Sequence, residues 1–453
     1  MWTRLCCSIA ILATACGDDP CDAVANTGCD ENQACEKVQG GEPTCLAEMV
    51  VVGRVFDLDT NAGIAGARIV ALDANGAAAS FVATSASDGT YKLPIPVTRT
   101  SAGAPAETFT LTLRADANGY LSFPAGIRPA LPLDTATAVL TNGRYEIKSS
   151  LSDVGLLKLT TSGAVGTIKG TVADNATNAS ALVVAEVNGV GYTAIAGRDG
   201  DYKIFNVPVG AATVQAYARG YNYVAKTGDV TAGATVDVDL SVSDVAASTL
   251  SGSVSIVNGQ LGEATSVILV VESTFNADVA RGEAPPGLRA PDPGMVPVID
   301  NAFSIVGVPA GRYLVLAAFE NDNLVRDESG IGGTTILRQE VTAGQDVDIG
   351  DSFKVTGSVD IVGPGAMAPE AISGMPTFTW LDDSSEDRYV VKVFDSFGNV
   401  VWESGTPKSV VTLTYGGPAL TASMYYQFRV ESIKDPATVI SRSEDLKGVF
   451  LMQ

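Results

Sequence analysis

Polar and apolar positions alternate along much of this chain. Thr108-Phe109-Thr110-Leu111-Thr112-Leu113-Arg114 and Ala234-Thr235-Val236-Asp237-Val238-Asp239-Leu240 change character at every residue. That is the period of an antiparallel strand with one buried and one solvated face. Arg388-Tyr389-Val390-Val391-Lys392-Val393-Phe394 follows the same rule near the C-terminus. Long amphipathic runs of helical period are absent from the sequence, so the pattern predicts an all-β protein. Three β-branched stretches open successive units, at 49–57, 166–172 and 250–256. Each carries a glycine (Gly53, Gly170, Gly252) where a bulge or close sheet packing is expected.

The units share a grammar. The first reads Ser87-Asp88-Gly89-Thr90-Tyr91-Lys92-Leu93, and the second Arg198-Asp199-Gly200-Asp201-Tyr202-Lys203-Ile204 followed by Val207-Pro208-Val209-Gly210. The third reads Asp300-Asn301-Ala302-Phe303-Ser304-Ile305, then Val308-Pro309-Ala310-Gly311-Arg312-Tyr313. Asp-Gly suits a hairpin turn because glycine accepts positive φ without a Cβ clash. The aromatic that follows re-enters the sheet and covers the core edge. Pro208 and Pro309 end a strand, and Gly210 and Gly311 let the chain reverse. The first unit contains an insertion-like stretch at 98–107, and the third a Pro/Gly-rich loop at 281–297.

This grammar resembles the carboxypeptidase regulatory-like domain, a seven-stranded transthyretin-like sandwich, over roughly residues 49–350. From about Asp351 the pattern changes. Pro376-Thr377-Phe378-Thr379-Trp380 places an inward tryptophan on an early strand. Leu420, Tyr426, Phe428 and Val430 fall on the late-strand pattern of a fibronectin type III domain, which the segment resembles. That resemblance implies a tyrosine corner at Tyr426, its hydroxyl bonding nearby backbone, with Ala422 and Met424 in place of the family's proline and threonine. The expected architecture is therefore tandem antiparallel β-sandwich domains at 49–160, 161–246, 247–350 and 351–453, after a signal peptide (1–15) and a short disulfide-rich segment (16–48).

The N-terminus carries Arg4, a short apolar run, and then Leu12-Ala13-Thr14-Ala15-Cys16-Gly17. The run is far shorter than the ~20 residues that span a bilayer. The segment resembles the lipobox of bacterial lipoproteins, with Ala13 where the family has leucine; the resemblance implies acylation of Cys16. Ala13-x-Ala15 equally suits an ordinary signal peptidase. Once Cys6 and Cys7 leave with the signal, five cysteines remain, and none follows Cys45. Two disulfides among Cys21, Cys29, Cys35 and Cys45 leave Cys16 over, and lipidation accounts for it. Their pairing stays open among three connectivities. The stub between them, similar to a truncated EGF-like unit, is too polar to bury a core; a four-cysteine zinc site is disfavoured because no Cys-x-x-Cys pair is present.

Composition narrows the chemistry. Acidic residues outnumber basic ones 51 to 29, for a net charge of −22, which makes nucleic acid a poor partner. There is no histidine, so the commonest general base and metal ligand are missing. The acidic run Leu381-Asp382-Asp383-Ser384-Ser385-Glu386-Asp387 reads as a solvated loop, since neighbours in one loop do not hold two carboxyls across a scissile bond. Glu320, Asp322 and Asp327 form a weak calcium candidate of no EF-hand spacing; otherwise no cofactor is expected. Tyr217, Tyr221 and Tyr223 are the one cluster to nominate for sugar stacking, against the plainer reading of sheet-edge packing. The expectation is a non-enzymatic lipoprotein of a bacterial cell envelope, on the outer membrane and facing periplasm or cell surface. It would present sandwich modules in series to a surface protein. The alternatives are a carbohydrate-binding protein and an accessory subunit of an envelope complex.

Overall fold

The computed structural model describes residues 21–453 except 75, 127, 161–162, 174–180, 258–264, 278–280, 293–294, 296–297, 320–336, 351–352, 357, 384 and 445. Cys16 and the calcium candidate Glu320, Asp322 and Asp327 lie outside the described residues. Strands make up nearly all the regular structure, and among the described residues the only helices are short 3₁₀ turns. The all-β, multi-sandwich architecture expected from the alternation is what the chain adopts.

The first three sandwiches repeat one topology. In each, the opening strand (Met49–Asp57, Val165–Thr171, Ser248–Val257) pairs antiparallel with the fourth (Thr90–Ile95, Asp201–Pro208, Ala302–Val308). It also pairs in parallel with closing strands. The facing sheet is built on the second strand (Arg68–Leu72, Leu182–Val187, Thr265–Val271) paired antiparallel with the fifth (Thr110–Asp116, Gly210–Tyr217, Gly311–Phe319). Phe353–Thr356, placed by the sequence reading in the C-terminal module, closes the third sandwich by pairing with the opening strand from Val254 onward.

Register explains the repeated glycine. Gly53 stands opposite Tyr91, Gly170 opposite Tyr202 and Gly252 opposite Phe303. A Cβ on Gly53 would lie 1.9 Å from the Ser152 carbonyl oxygen, and one on Gly170 2.0 Å from that of Val238. The closing segment thus crosses directly over the glycine. The tyrosine hydroxyl of each pair donates to that same carbonyl, Tyr91 to Ser152 at 2.6 Å and Tyr202 to Val238 at 2.5 Å. In the third copy Phe303 has no hydroxyl, and the Ile349 side chain takes the space over Gly252.

The Asp-Gly turns correct one expectation. Gly89 and Gly200 have φ of +85° and +83°, as a tight turn requires. Yet the strands on either side of each belong to opposite sheets, since 83–84 pairs with 68–72 while 90–95 pairs with 49–57. The turn carries the chain across the sandwich and does not close a hairpin. Asp88 Oδ1 accepts from the Thr90 amide and hydroxyl, which fixes the turn.

The C-terminal sandwich faces a three-stranded sheet (Ile361–Gly363, Thr377–Trp380, Thr412–Thr414) against one built on Arg388–Asp395 and Tyr425–Lys434. Its core holds Phe378, Trp380, Tyr389, Phe428 and Phe450. Trp380 is fully buried, edge-on to Tyr389. Tyr426 Oη accepts the Thr421 amide proton at 2.8 Å.

Candidate functional site

The structure pairs Cys21 with Cys35 and Cys29 with Cys45. The unit they staple leans on the first sandwich. The insertion-like stretch at 98–107 is its dock: Arg99 N donates to Lys37 O at 2.8 Å and Gln39 N to Arg99 O at 2.8 Å. Glu36 reaches under the unit to accept the Val97 amide at 2.9 Å. A segment with too little apolar surface for a core of its own borrows one.

The modules do not stand in series as a row. The first sandwich touches the other three. Arg114, on its fifth strand, is almost wholly buried and binds three sandwiches at once. Its guanidinium pairs with Asp116 at 2.8 Å, donates to Thr193 Oγ1 of the second sandwich at 2.8 Å, and meets Glu283 of the third at 2.5 Å. Burial opposes this charge, but Asp116 and Glu283 outweigh it and hold Arg114 above its ordinary pKa. Arg68 adds a pair with Asp201 at 2.9 Å.

Two asparagines latch neighbouring modules. Asn206 donates to Ala117 O (3.1 Å) and Tyr120 O (2.7 Å) and accepts from Gly119 N (2.8 Å), joining the second sandwich to the first. Asn222 accepts from Ala310 N at 2.6 Å and donates to Val245 O and Ala246 O, joining the second to the third. A planar amide serves such joints well, because it donates and accepts in one plane. The C-terminal sandwich docks on the first: Arg128 donates to Phe397 O at 2.7 Å, and Phe397 meets Phe56 edge-on at 5.4 Å. Ser150 and Ser396 share a hydroxyl bond at 2.8 Å.

Apolar surface follows the same route. One cluster runs from the interior of the third sandwich (Leu250, Leu269, Ile305) to Leu182 and Val184 of the second and to Val70 and Leu72 of the first. The neighbours Val183 and Ala185 face the second sandwich's own core. The second strands are therefore buried on both faces. Their apolar runs, unbroken by polar positions, are the sequence signal for this contact.

The tyrosine cluster is corrected by this packing. Tyr217 and Tyr223 are buried, and Tyr221 is half-buried. Tyr217 packs edge-on against Tyr313 at the seam between sandwiches, and Tyr223 donates to Ala173 O. Large rings gain most by leaving water: Tyr217 packs at the seam, and Tyr221 and Tyr223 pack on the second sandwich's own core, so the three do not form an exposed stacking platform. The acidic run is likewise engaged locally. Asp382 accepts from Tyr389 Oη at 2.8 Å, Asp383 from Ser432 Oγ at 2.6 Å, and Asp387 pairs with Lys434 at 3.0 Å. Glu386 is buried and accepts from Ser409 N.

Clefts open at module junctions. One, of about 190 Å³, lies beside Arg114 and Glu283 among Asp73, Arg281 and Leu446. Another, of about 320 Å³, lies beneath the disulfide unit, between Met49, Phe81, Ile95 and Arg198.

No family model matches the chain, and no curated protein matches it. Among solved structures, the Bacillus anthracis TIE protein is similar at 12% identity over 87% of this chain and 68% of that one, with a TM-score of 0.16. A Streptococcal ancillary pilin is similar at 12% identity over 68% and 99%, with a TM-score of 0.18. The minor pilin GBS52 of Streptococcus agalactiae is similar at 11% identity over 42% and 96%, with a TM-score of 0.20. Likeness this slight carries no argument about function.

Proposed function

We propose that this chain is a non-enzymatic envelope protein, anchored through an acyl group on Cys16, whose sandwiches are fixed into one body that presents a surface to another envelope or cell-surface component. The joint at Arg114 carries the reading. A buried cation shared by three modules makes a fixed relative placement, which suits display and not the opening and closing of a catalytic cleft. Two further facts support it. The two disulfides use every cysteine after Cys16, which leaves that thiol for the anchor. The sequence has no imidazole, and the carboxylates of the acidic run are tied to nearby hydroxyls, amides and a lysine.

The test is membrane fractionation of cells making the wild-type chain and Cys16→Ser. The wild type stays with the membrane and resists salt extraction, and the variant becomes soluble. A variant that remains membrane-bound removes the anchor from the account.

A further inference from the structure

The four cysteines of the stapled unit are linked two by two as the sides of a square. Two sides are the disulfides, Cys21 to Cys35 and Cys29 to Cys45. Backbone geometry closes the other two. Cys35 and Cys45 stand directly opposite each other in the antiparallel pair Gln33–Glu36 and Thr44–Ala47. Cys21 and Cys29 are brought together by a loop that returns on itself, in which Asp22 N donates to Thr27 O at 3.0 Å and Thr27 N to Asp22 O at 3.2 Å. Gly28, at φ +89°, permits the approach, since a Cβ there would lie 3.1 Å from Cys21 Cα.

The sulfurs converge as this backbone requires. The Sγ atoms of Cys21, Cys29 and Cys45 all lie within 4.8 Å of one another, so one end of the first disulfide sits beside both sulfurs of the second. Reacting atoms poised for attack stand about 3–3.5 Å apart, so a movement of about 1.5 Å is enough. Cys29 and Cys45 are both half-buried, whereas Cys35 is buried, which makes Cys29–Cys45 the more exposed of the two bonds. Directly opposite residues of an antiparallel pair have Cα atoms about 4.5–5.5 Å apart, inside the range of about 4.4–6.8 Å that a disulfide spans. The square can therefore be closed along either pair of sides.

We propose that this unit is a thiol–disulfide exchange site with two interchangeable pairings, entered by an external dithiol. The dithiol reduces Cys29–Cys45 to two thiols and leaves as its own disulfide. The Cys29 thiolate then attacks Cys21 Sγ. The Cys21–Cys29 bond forms, the Cys21–Cys35 bond breaks, and the electron pair leaves on Cys35, which takes up the proton that Cys29 gave up. Cys35 now faces Cys45 as a second thiol, and reoxidation joins them, with two electrons and two protons passing to an oxidised dithiol. The exchange alters the dock. Cys21–Cys35 ties the start of the unit to the strand that carries Glu36, which holds the Val97 amide, whereas Cys21–Cys29 closes only a local loop. The change of partner removes the covalent tie between residues 21–29 and the strand docked on the first sandwich.

The test is Cys45→Ser in the full chain, which leaves Cys29 as a thiol beside the Cys21–Cys35 bond. The protein is held at about pH 8, near the ordinary thiol pKa, then quenched in acid and alkylated. Cleavage before Asp22 and Asp30 and after Lys37 separates positions 21, 29, 35 and 45 for mass spectrometry. Exchange predicts alkylation at both Cys29 and Cys35, with a linked Cys21–Cys29 pair. Urea should slow the approach to that mixture at least about tenfold, because a flexible chain offers its groups at only millimolar effective concentration and pre-placed groups far exceed that. Alkylation confined to Cys29 overturns the proposal, as does a rate unchanged or raised in urea. If Cys45→Ser does not fold, the wild type decides. Limited dithiol treatment, trapped where one disulfide remains, should yield Cys21–Cys29 or Cys21–Cys45, and native pairs alone would overturn the proposal.

Discussion

Asn206→Gly tests the latch between the first and second sandwiches. Asn206 sits at φ +57°, a conformation glycine adopts without strain, so the substitution removes the side chain and little else. Three hydrogen bonds across the seam are lost. Each is worth roughly 0.5–1.5 kcal/mol net, and the Gly119 amide becomes free to bond water, so a loss near the lower end, about 2 kcal/mol, is expected. At 1.4 kcal/mol per tenfold, that is about a thirty-fold fall in the protection of the joint. Hydrogen exchange read by mass spectrometry gives the assay. Amides at 117–121 should exchange about thirty-fold faster, while the core strand Leu182–Val187, held by pairing on both sides, should not change. If 117–121 exchanges as in the wild type, the amide is not what holds the two sandwiches, and the reasoning about polar joints fails.

Arg114→Met should cost about 3 kcal/mol or more in chemical denaturation, because it strands Asp116 and Glu283 without their cation; Glu283→Gln should cost less, and a double-mutant cycle should return a coupling of about 1 kcal/mol or more. Tyr202→Phe should lower stability by about 1–2 kcal/mol by leaving the Val238 carbonyl without its buried donor. Phe303→Tyr in the third sandwich should give no matching gain, since Ile349 already fills that position. Asp57 is held well below the usual carboxylate range by the Thr60 amide, Lys158 and Tyr120. A depressed carboxylate contributes stability that is complete above its unfolded pKa and fades as pH falls below it. Asp57→Asn should therefore flatten the loss of thermal stability between neutral pH and about pH 3, and an unchanged slope would contradict the assignment.

Much of the fold was legible in the sequence because it rests on local rules. Strand alternation gave the all-β class, and the recurring Gly53, Gly170 and Gly252 marked where the sheet is approached closely. What approaches could not be read, since the 3₁₀ turn that crosses Gly53, at Ser150–Ser152, comes from about a hundred residues later. Asp88-Gly89 signals a turn, but the turn's chemistry does not say whether the next strand joins the same sheet or the opposite one. The stretch at 98–107 stood out only as a departure from the repeat; its purpose depends on Val38 and Gln39, which lie before the first sandwich. The tyrosines around Gly220 were misleading because aromatic residues packed in a core or seam and those on a sugar platform have the same composition. The better clue lay in Leu182-Val183-Val184-Ala185 and Val267-Ile268-Leu269-Val270-Val271. Strands apolar at every position need cover on both faces, and neighbouring modules supply it.

The most direct test of the fixed arrangement is the distance between sandwiches in solution. Spin labels introduced through a bioorthogonal residue at the exposed positions Lys226 and Lys408, in the second and C-terminal sandwiches, report it by double electron–electron resonance. The account predicts one narrow distribution that broadens in Arg114→Met. A broad or multi-peaked distribution in the wild-type chain would mean that the modules move independently, and the fixed body would have to be given up.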